Sequence, residues 1–109
     1  SAKLLHAKTG AAIARDVFGM GDDVYNAILW HTTGREDMTL LEKVIYMADY
    51  IEQTRRFEGV DELRKLAYED LDEAMILGLR MSLDDMKASG ITPHGRSVDA
   101  LRYLEKEHR

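Results

Sequence analysis

The stretch VIYMADYIE, residues 44–52, predicts a helix that carries one carboxylate on an apolar side. The apolar positions in and just before it share the three- and four-residue spacing of a single helix face: Leu41, Val44, Ile45 and Ala48. Asp49 follows Ile45 by four residues, so its side chain is expected to lean toward that face. A buried ionised carboxylate is costly unless a cation pairs with it or it coordinates a metal. The stretch therefore predicts a buried helix on which Asp49 faces a partner.

The composition favours one soluble helical domain over residues 1–109. Hydrophobic residues make up 45% and charged residues 32%, and there is a single Pro, which together favour helices around a modest core. The formal charge of −5 argues against binding to nucleic acid, whose phosphates require a basic surface. No apolar run is long enough to cross a membrane, and no signal peptide is visible. The absence of Cys excludes disulfides and thiolate metal ligands and is typical of a cytoplasmic protein.

Glycines and capping residues divide the chain into five or six predicted helices. Thr39 and Glu42 have the spacing of a capping box at the start of one helix, and Ser97 is a candidate N-cap for the last one. No stretch alternates apolar and polar residues as a strand does. The sequence therefore predicts an all-α bundle with helices near residues 4–18, 22–30, 39–53, 61–68, 70–88 and from 97 onward.

Three residues on separate predicted helices suggest a metal site. His6 and His31 each lie beside apolar residues, and Asp49 is the carboxylate described above. Two imidazoles and a carboxylate are a common ligand set for a divalent transition metal. Helical bundles build such sites from side chains on facing helices. We therefore treat these three residues as candidate metal ligands.

The residues alone leave other interpretations open. His6 taken by itself is more typical of a hydrogen-bonded core histidine, and His31 of a helix C-cap. Asp49 could form a structural ion pair with Arg55 or Arg56. The basic residues nearby suit phosphate binding, but they are equally typical of solvated helix faces.

The residues from 28 to 74, ILWHTTGREDMTLLEKVIYMADYIEQTRRFEGVDELRKLAYEDLDEA, together with ITPHGRSVDALRYL at 91–104, resemble a known family. They are similar to the HD-domain metal-dependent phosphohydrolases, in particular the bacterial group that hydrolyses diadenosine tetraphosphate symmetrically to two ADP. The resemblance implies an all-α HD-domain bundle, a nucleotide substrate, a homodimer, and a pair of metal ions, typically iron. The charge and the hydropathy described above predict no nucleic-acid or membrane partner.

The resemblance also implies roles for individual residues. The implied metal ligands, and with them the catalytic centre, are His6, His31 and Asp49. The implied substrate-binding residues are Arg35, Lys43 and Arg55 beside the polyphosphate and Thr32, Thr33 and Gly34 in the turn that carries His31.

The chain departs from the family pattern at one point. The first His and the His-Asp doublet of the family are absent from the 109 residues. We therefore expect the chain to be N-terminally truncated, the C-terminal portion of the fold, holding one metal ion or none where a complete site holds two. The alternatives are a catalytically degenerate nucleotide-binding or regulatory module, and a helical protein that dimerises through the stripe from Ile76 to Met86.

Overall fold

The computed structural model describes residues 2–16, 19–52 and 56–108, without the side chains of residues 2–6 and 14. The regular elements in these ranges are all helices, which confirms the all-α prediction. They are α1 (Ala2–Asp16), α2 (Asp22–Leu29), α3 (Leu40–Tyr50), α4 (Val60–Glu69), α5 (Leu71–Ala88) and α6 (Gly95–Glu107). None of the helices in the described ranges combines the length and the apolar character that crossing a bilayer requires.

Capping side chains set the starts of three helices. Thr39 Oγ1 accepts a hydrogen bond from the Glu42 amide at 3.2 Å and so begins α3, as the capping-box spacing predicts. Asp70 accepts from the Glu73 amide at 3.1 Å and begins α5. The prediction that Ser97 caps the last helix is wrong, because His94 Nδ1 accepts from the Arg96 amide and α6 begins two residues earlier, at Gly95.

The core lies where α3, α4 and α6 pack against the long helix α5. Its fully buried side chains include Met47 of α3, Leu63 of α4, and Met75 and Leu79 of α5. Ile76 and Leu79 belong to the stripe considered above as a dimer surface, and both are buried within the chain. Helix α1 packs on α2, and α2 packs on α3, so this helix pair lies beside the core.

Helix α3 turns a different face to the core than the sequence predicts. The buried residues are Glu42, at 1% exposure, with Tyr46 and Met47. Val44 is 44% exposed, and Asp49 is also exposed, so the prediction of a buried apolar face with a buried Asp49 is wrong. The physical reason is that Arg35 neutralises the Glu42 carboxylate, which makes its burial tolerable.

Candidate metal centre

A cavity of about 140 Å³ lies between the turn after α2 and helices α3 and α5. We call it the His31 cavity; its lining residues are His31, Thr32, Tyr46, Asp49, Tyr50, Ser82 and Met86. The fold thus brings three of the predicted site residues, His31, Thr32 and Asp49, to one place. The lining residues offer an imidazole, hydroxyls and a carboxylate, which divalent transition metals accept as ligands.

One hydrogen bond fixes the chemistry of the His31 ring. Its Nδ1 lies 2.5 Å from the backbone oxygen of Ile28. A carbonyl oxygen can only accept, so Nδ1 carries the hydrogen and donates it, which in the neutral ring leaves the lone pair on Nε2. Metal-binding histidines are typically held in this way, with the second nitrogen donating to a carbonyl or carboxylate. The contact is also the C-terminal cap considered above, so capping and metal ligation are compatible for this residue.

A buried hydroxyl points to a polar ligand in the same cavity. Thr32 Oγ1 is buried and has no hydrogen-bond partner among the residues that the structure describes. Leaving a buried hydroxyl unsatisfied costs about 1–3 kcal/mol, so such groups are usually paired. A ligand oxygen or a water in the His31 cavity would satisfy Thr32.

Tyr46 and Asp49 give the cavity a neutral phenol beside a carboxylate. Burial raises the pKa of Tyr46, and the charges of Tyr50 and Asp49 raise it further. The Tyr46 phenol therefore keeps its proton at any physiological pH. The donor set, a histidine with its Nε2 lone pair, a carboxylate and hydroxyls, fits a divalent cation.

Thr33 and Gly34 hold the turn that carries His31. Gly34 has φ +72°, a left-handed conformation that favours glycine. The Thr33 hydroxyl donates to the Gly34 oxygen at 2.9 Å, and Ser97 Oγ donates to the Thr33 oxygen at 2.7 Å. Thr33 and Gly34 are buried and do not line the His31 cavity, and their contact with substrate stays a prediction.

Two of the predicted phosphate-binding residues form ion pairs with other helices or turns. Arg35 donates two hydrogen bonds of 2.7 Å to the Glu42 carboxylate, and these bonds raise the pKa of Arg35. Lys43 of α3 donates to Asp72 of α5 at 2.7 Å. Neither cation lines the His31 cavity. Their described contacts stabilise the frame around the cavity, and substrate binding by them stays a prediction.

The remaining predicted residues cannot be placed with respect to the cavity. Arg55 lies outside the described residues. His6 belongs to α1, but its side chain lies outside the description. Among the described side chains, which exclude that of His6, no three His, Cys, Asp or Glu groups form a metal-binding cluster. The complete ligand set therefore stays a prediction.

Sequence reasoning missed three residues that shape this region. Tyr46 and Tyr50 line the His31 cavity, and the Glu42 carboxylate forms an ion pair with Arg35, which follows the turn carrying His31. Tyr46, Tyr50 and Glu42 recur every four residues on α3, which was the available signal that they share a face.

The chain is similar to proteins named symmetrical bis(5'-nucleosyl)-tetraphosphatase. The HD domain family matches residues 1–54. The symmetrical bis(5'-nucleosyl)-tetraphosphatase of Bacillus subtilis (strain 168) is 51% identical over 82 residues, which cover 74% of this chain and 44% of that protein. The protein of the same name from Staphylococcus aureus (strain NCTC 8325 / PS 47) is 38% identical over 104 residues, covering 93% of this chain and 54% of that one.

A solved structure shares the fold. It is that of a predicted HD superfamily hydrolase involved in NAD metabolism from Clostridium acetobutylicum, with a TM-score of 0.89 and 45% identity. The match covers 94% of this chain and 55% of that chain. The chain therefore spans about half the length of the relatives that it matches.

Proposed function

Because the chain belongs to the HD-domain family, we propose that it supplies ligands and substrate contacts to a metal-dependent phosphohydrolase. The proposed reaction is cleavage of a nucleotide phosphoanhydride, specifically the symmetrical hydrolysis of diadenosine tetraphosphate to two ADP. The names of the similar proteins from Bacillus subtilis and Staphylococcus aureus support this substrate. The proposal is carried by the His31 ring. Its Nδ1 donates to the Ile28 oxygen, and His31 lines the same cavity as Asp49.

The residues of the His31 cavity fit a divalent transition metal. His31 would bind it through Nε2 and Asp49 through its carboxylate, and the resemblance adds His6 as a third ligand. When bound, such a metal activates water at neutral pH and polarises phosphoryl oxygens. Iron as the metal, a homodimer and a cytoplasmic location are further parts of this proposal that rest on the family resemblance and, for the location, on the absence of Cys.

The neutral groups of the cavity suit the oxygens of a phosphate chain. The Tyr46 phenol keeps its proton because burial raises its pKa, so it can donate but does not add negative charge. Thr32 Oγ1, unpaired among the described residues, can also donate to a phosphoryl oxygen. Ser82 on α5 and Tyr50 on α3 are further lining residues that carry hydroxyls.

The charge of the substrate has to be met by groups other than the described lining residues. None of the described residues around the His31 cavity is a Lys or an Arg. A polyphosphate in this place therefore requires a bound cation, and we propose Arg55 as the basic side chain that assists it. Arg35 is held by Glu42, so we propose that it positions the turn carrying His31.

The test is to replace each ligand and measure metal content and ADP release. We expect His31→Ala and Asp49→Ala each to reduce retained metal and the hydrolysis of diadenosine tetraphosphate by about a hundredfold or more, because even changes to the neighbours of metal ligands cost 10–100-fold. His94→Asn is the matched control: it removes an exposed histidine at the start of α6 and retains a capping side chain.

Two outcomes would contradict the proposal. Full metal content in Asp49→Ala would show that this carboxylate is not a ligand. Tight binding of ADP without turnover of diadenosine tetraphosphate in the presence of Mn²⁺ or Fe²⁺, by a protein of the relatives' length that contains this chain, would favour the degenerate nucleotide-binding module instead.

A further inference from the structure

A second and larger cavity shares a wall with the His31 cavity. It has a volume of about 510 Å³, and its lining residues are Tyr50, Phe57, Glu58, Met81, Asp84 and Asp85. We call it the Phe57 cavity. Tyr50 also lines the His31 cavity, so a ligand that occupies both would pass this ring. Its volume lies in the range of sites for small organic ligands, whereas the His31 cavity has room only for an ion and a few ligand atoms.

We propose that the Phe57 cavity binds the nucleobase of the substrate, and that it selects a purine with an exocyclic amino group. This proposal rests on the function proposed above, because the phosphate chain has to reach the His31 cavity for the base to lie here. It assigns a base-binding role to Phe57, Asp84 and Asp85, which are remote in sequence from the candidate metal ligands.

The aromatic residues support a flat ligand. The rings of Tyr46 and Tyr50 stack with centroids 6.2 Å apart, and those of Tyr50 and Phe57 lie 5.1 Å apart at an angle of 42°. The three rings form a row that leads from the His31 cavity to the Phe57 cavity. Nucleobases stack readily on such rings. Met81 adds a polarisable, adaptable apolar surface to the same wall.

The carboxylates determine which edge of the base fits. Asp84 and Asp85 follow Met81 by three and four residues on α5, so they lie on the same side of the helix as this apolar wall. Ionised carboxylates only accept hydrogen bonds, so they pair with N–H groups and repel phosphate. The exocyclic amino group of adenine, and the amino and ring N–H groups of guanine, supply such donors. The Phe57 cavity therefore suits the base, and the His31 cavity suits the phosphates.

The experiment compares three ligands on the purified chain with Mn²⁺ present, by titration calorimetry. They are ADP, the diphosphate of purine riboside, which lacks the amino group, and inorganic pyrophosphate, which lacks the nucleoside. We expect ADP to bind about tenfold more tightly than either of the other ligands. This factor corresponds to the free energy of one hydrogen bond to a charged group. Equal affinities for ADP and pyrophosphate would overturn the proposal.

Charge removal in the cavity gives the second arm. In the Asp84→Ala, Asp85→Ala double variant we expect ADP affinity to fall to that of the purine riboside diphosphate, while pyrophosphate affinity does not fall. Asp99→Ala, which removes an exposed carboxylate on α6, should keep the ADP preference. Loss of bound Mn²⁺ from the double variant, with the ADP preference unchanged, would show a cation site and overturn the proposal.

A third variant separates this proposal from the metal proposal. We expect His31→Ala to weaken ADP and pyrophosphate by the same factor, which leaves their ratio unchanged. If His31→Ala left both affinities unchanged, the metal proposal would be contradicted and the base-site proposal would not. If the variant abolished the preference for ADP over pyrophosphate, a separate base site would be contradicted.

Discussion

The two faces of helix α3 differ in what they bury: one buries a charged side chain, and the other exposes apolar side chains. On one face the Glu42 carboxylate is buried, next to Tyr46 and Met47. On the other, Leu40 is 70% exposed and Val44 is 44% exposed. The charged residue is buried because Arg35 donates two hydrogen bonds of 2.7 Å to it, while the apolar residues on the opposite face remain exposed to solvent.

The difference teaches that a specific partner can outweigh hydrophobic periodicity. A buried carboxylate with a bidentate guanidinium keeps its hydrogen bonds, and the Thr39 hydroxyl donates a further one to Glu42 at 3.0 Å. This group also anchors the segment between α2 and α3, and so the turn that carries His31. The buried face of α3, which carries Glu42, is therefore the one that organises the candidate site.

The largest effect is expected from breaking the buried pair. Glu42→Ala leaves the Arg35 guanidinium half-buried and unpaired, and we expect the free energy of unfolding to fall by about 3 kcal/mol. Asp61→Ala is the matched control, because it removes the carboxylate of the exposed Arg64–Asp61 pair. It should lower the free energy of unfolding by less than about 1 kcal/mol. Urea denaturation measures both, and equal losses would show that burial of Glu42 is unimportant.

A smaller effect is expected at Gly34, which packs near Tyr46 of the buried face. In Gly34→Ala a Cβ at φ +72° would lie 3.3 Å from the Ala100 Cβ and 3.4 Å from the Met38 sulfur. We expect a loss of about 2 kcal/mol in unfolding free energy, since the left-handed backbone alone costs about 1–2 kcal/mol. Gly90→Ala has a similar φ of +73° and meets nothing within 4 Å, so it measures the backbone cost alone. A loss no greater in Gly34→Ala than in Gly90→Ala would contradict the packing contribution.

Alkaline pH tests the burial of Tyr46. Its folded-state pKa is raised above the ordinary value near 10, so above that pH the unfolded chain releases a proton that the folded chain retains. Stability should therefore fall by about 1.4 kcal/mol for each pH unit above about 10, and Tyr46→Phe should remove this contribution. Tyr68, which is 94% exposed, provides the control, since Tyr68→Phe should leave the alkaline slope as it is.

The smallest effect is expected on the exposed face of α3. Leu40→Gln should change the free energy of unfolding by no more than about 0.5 kcal/mol, because the side chain is already largely in solvent. The same denaturation experiment measures it. A loss as large as that of Glu42→Ala would mean that this face is covered in solution and would reverse the comparison.

Sequence patterns predicted the helices well because their signals are local. The Thr39 N-cap and the glycine at position 90 act within one helical turn of the residues they order. The burial of Glu42 could not be predicted this way, because its partner lies seven residues earlier in an irregular segment. For the same reason Ser97 looked like a cap, although its hydroxyl donates to the backbone oxygen of Thr33, which lies 64 residues earlier in the sequence.

The candidate site was predictable only in part. Residue types and the family resemblance selected His31 and Asp49, and the fold places both at one cavity. The roles of Tyr46, Tyr50 and Phe57 depend on distances between rings that no spacing rule gives. The identity of a third ligand stays a prediction, since the His6 side chain lies outside the described part of the chain.

The bond from Ser97 to the Thr33 oxygen joins residues 64 positions apart. Contacts of such long range form late, because the intervening chain has to be ordered before its ends can meet. We therefore expect the His31 turn to reach its final geometry only after the C-terminal helix docks. During synthesis on the ribosome, the metal-binding geometry would then be completed only after α6 has emerged.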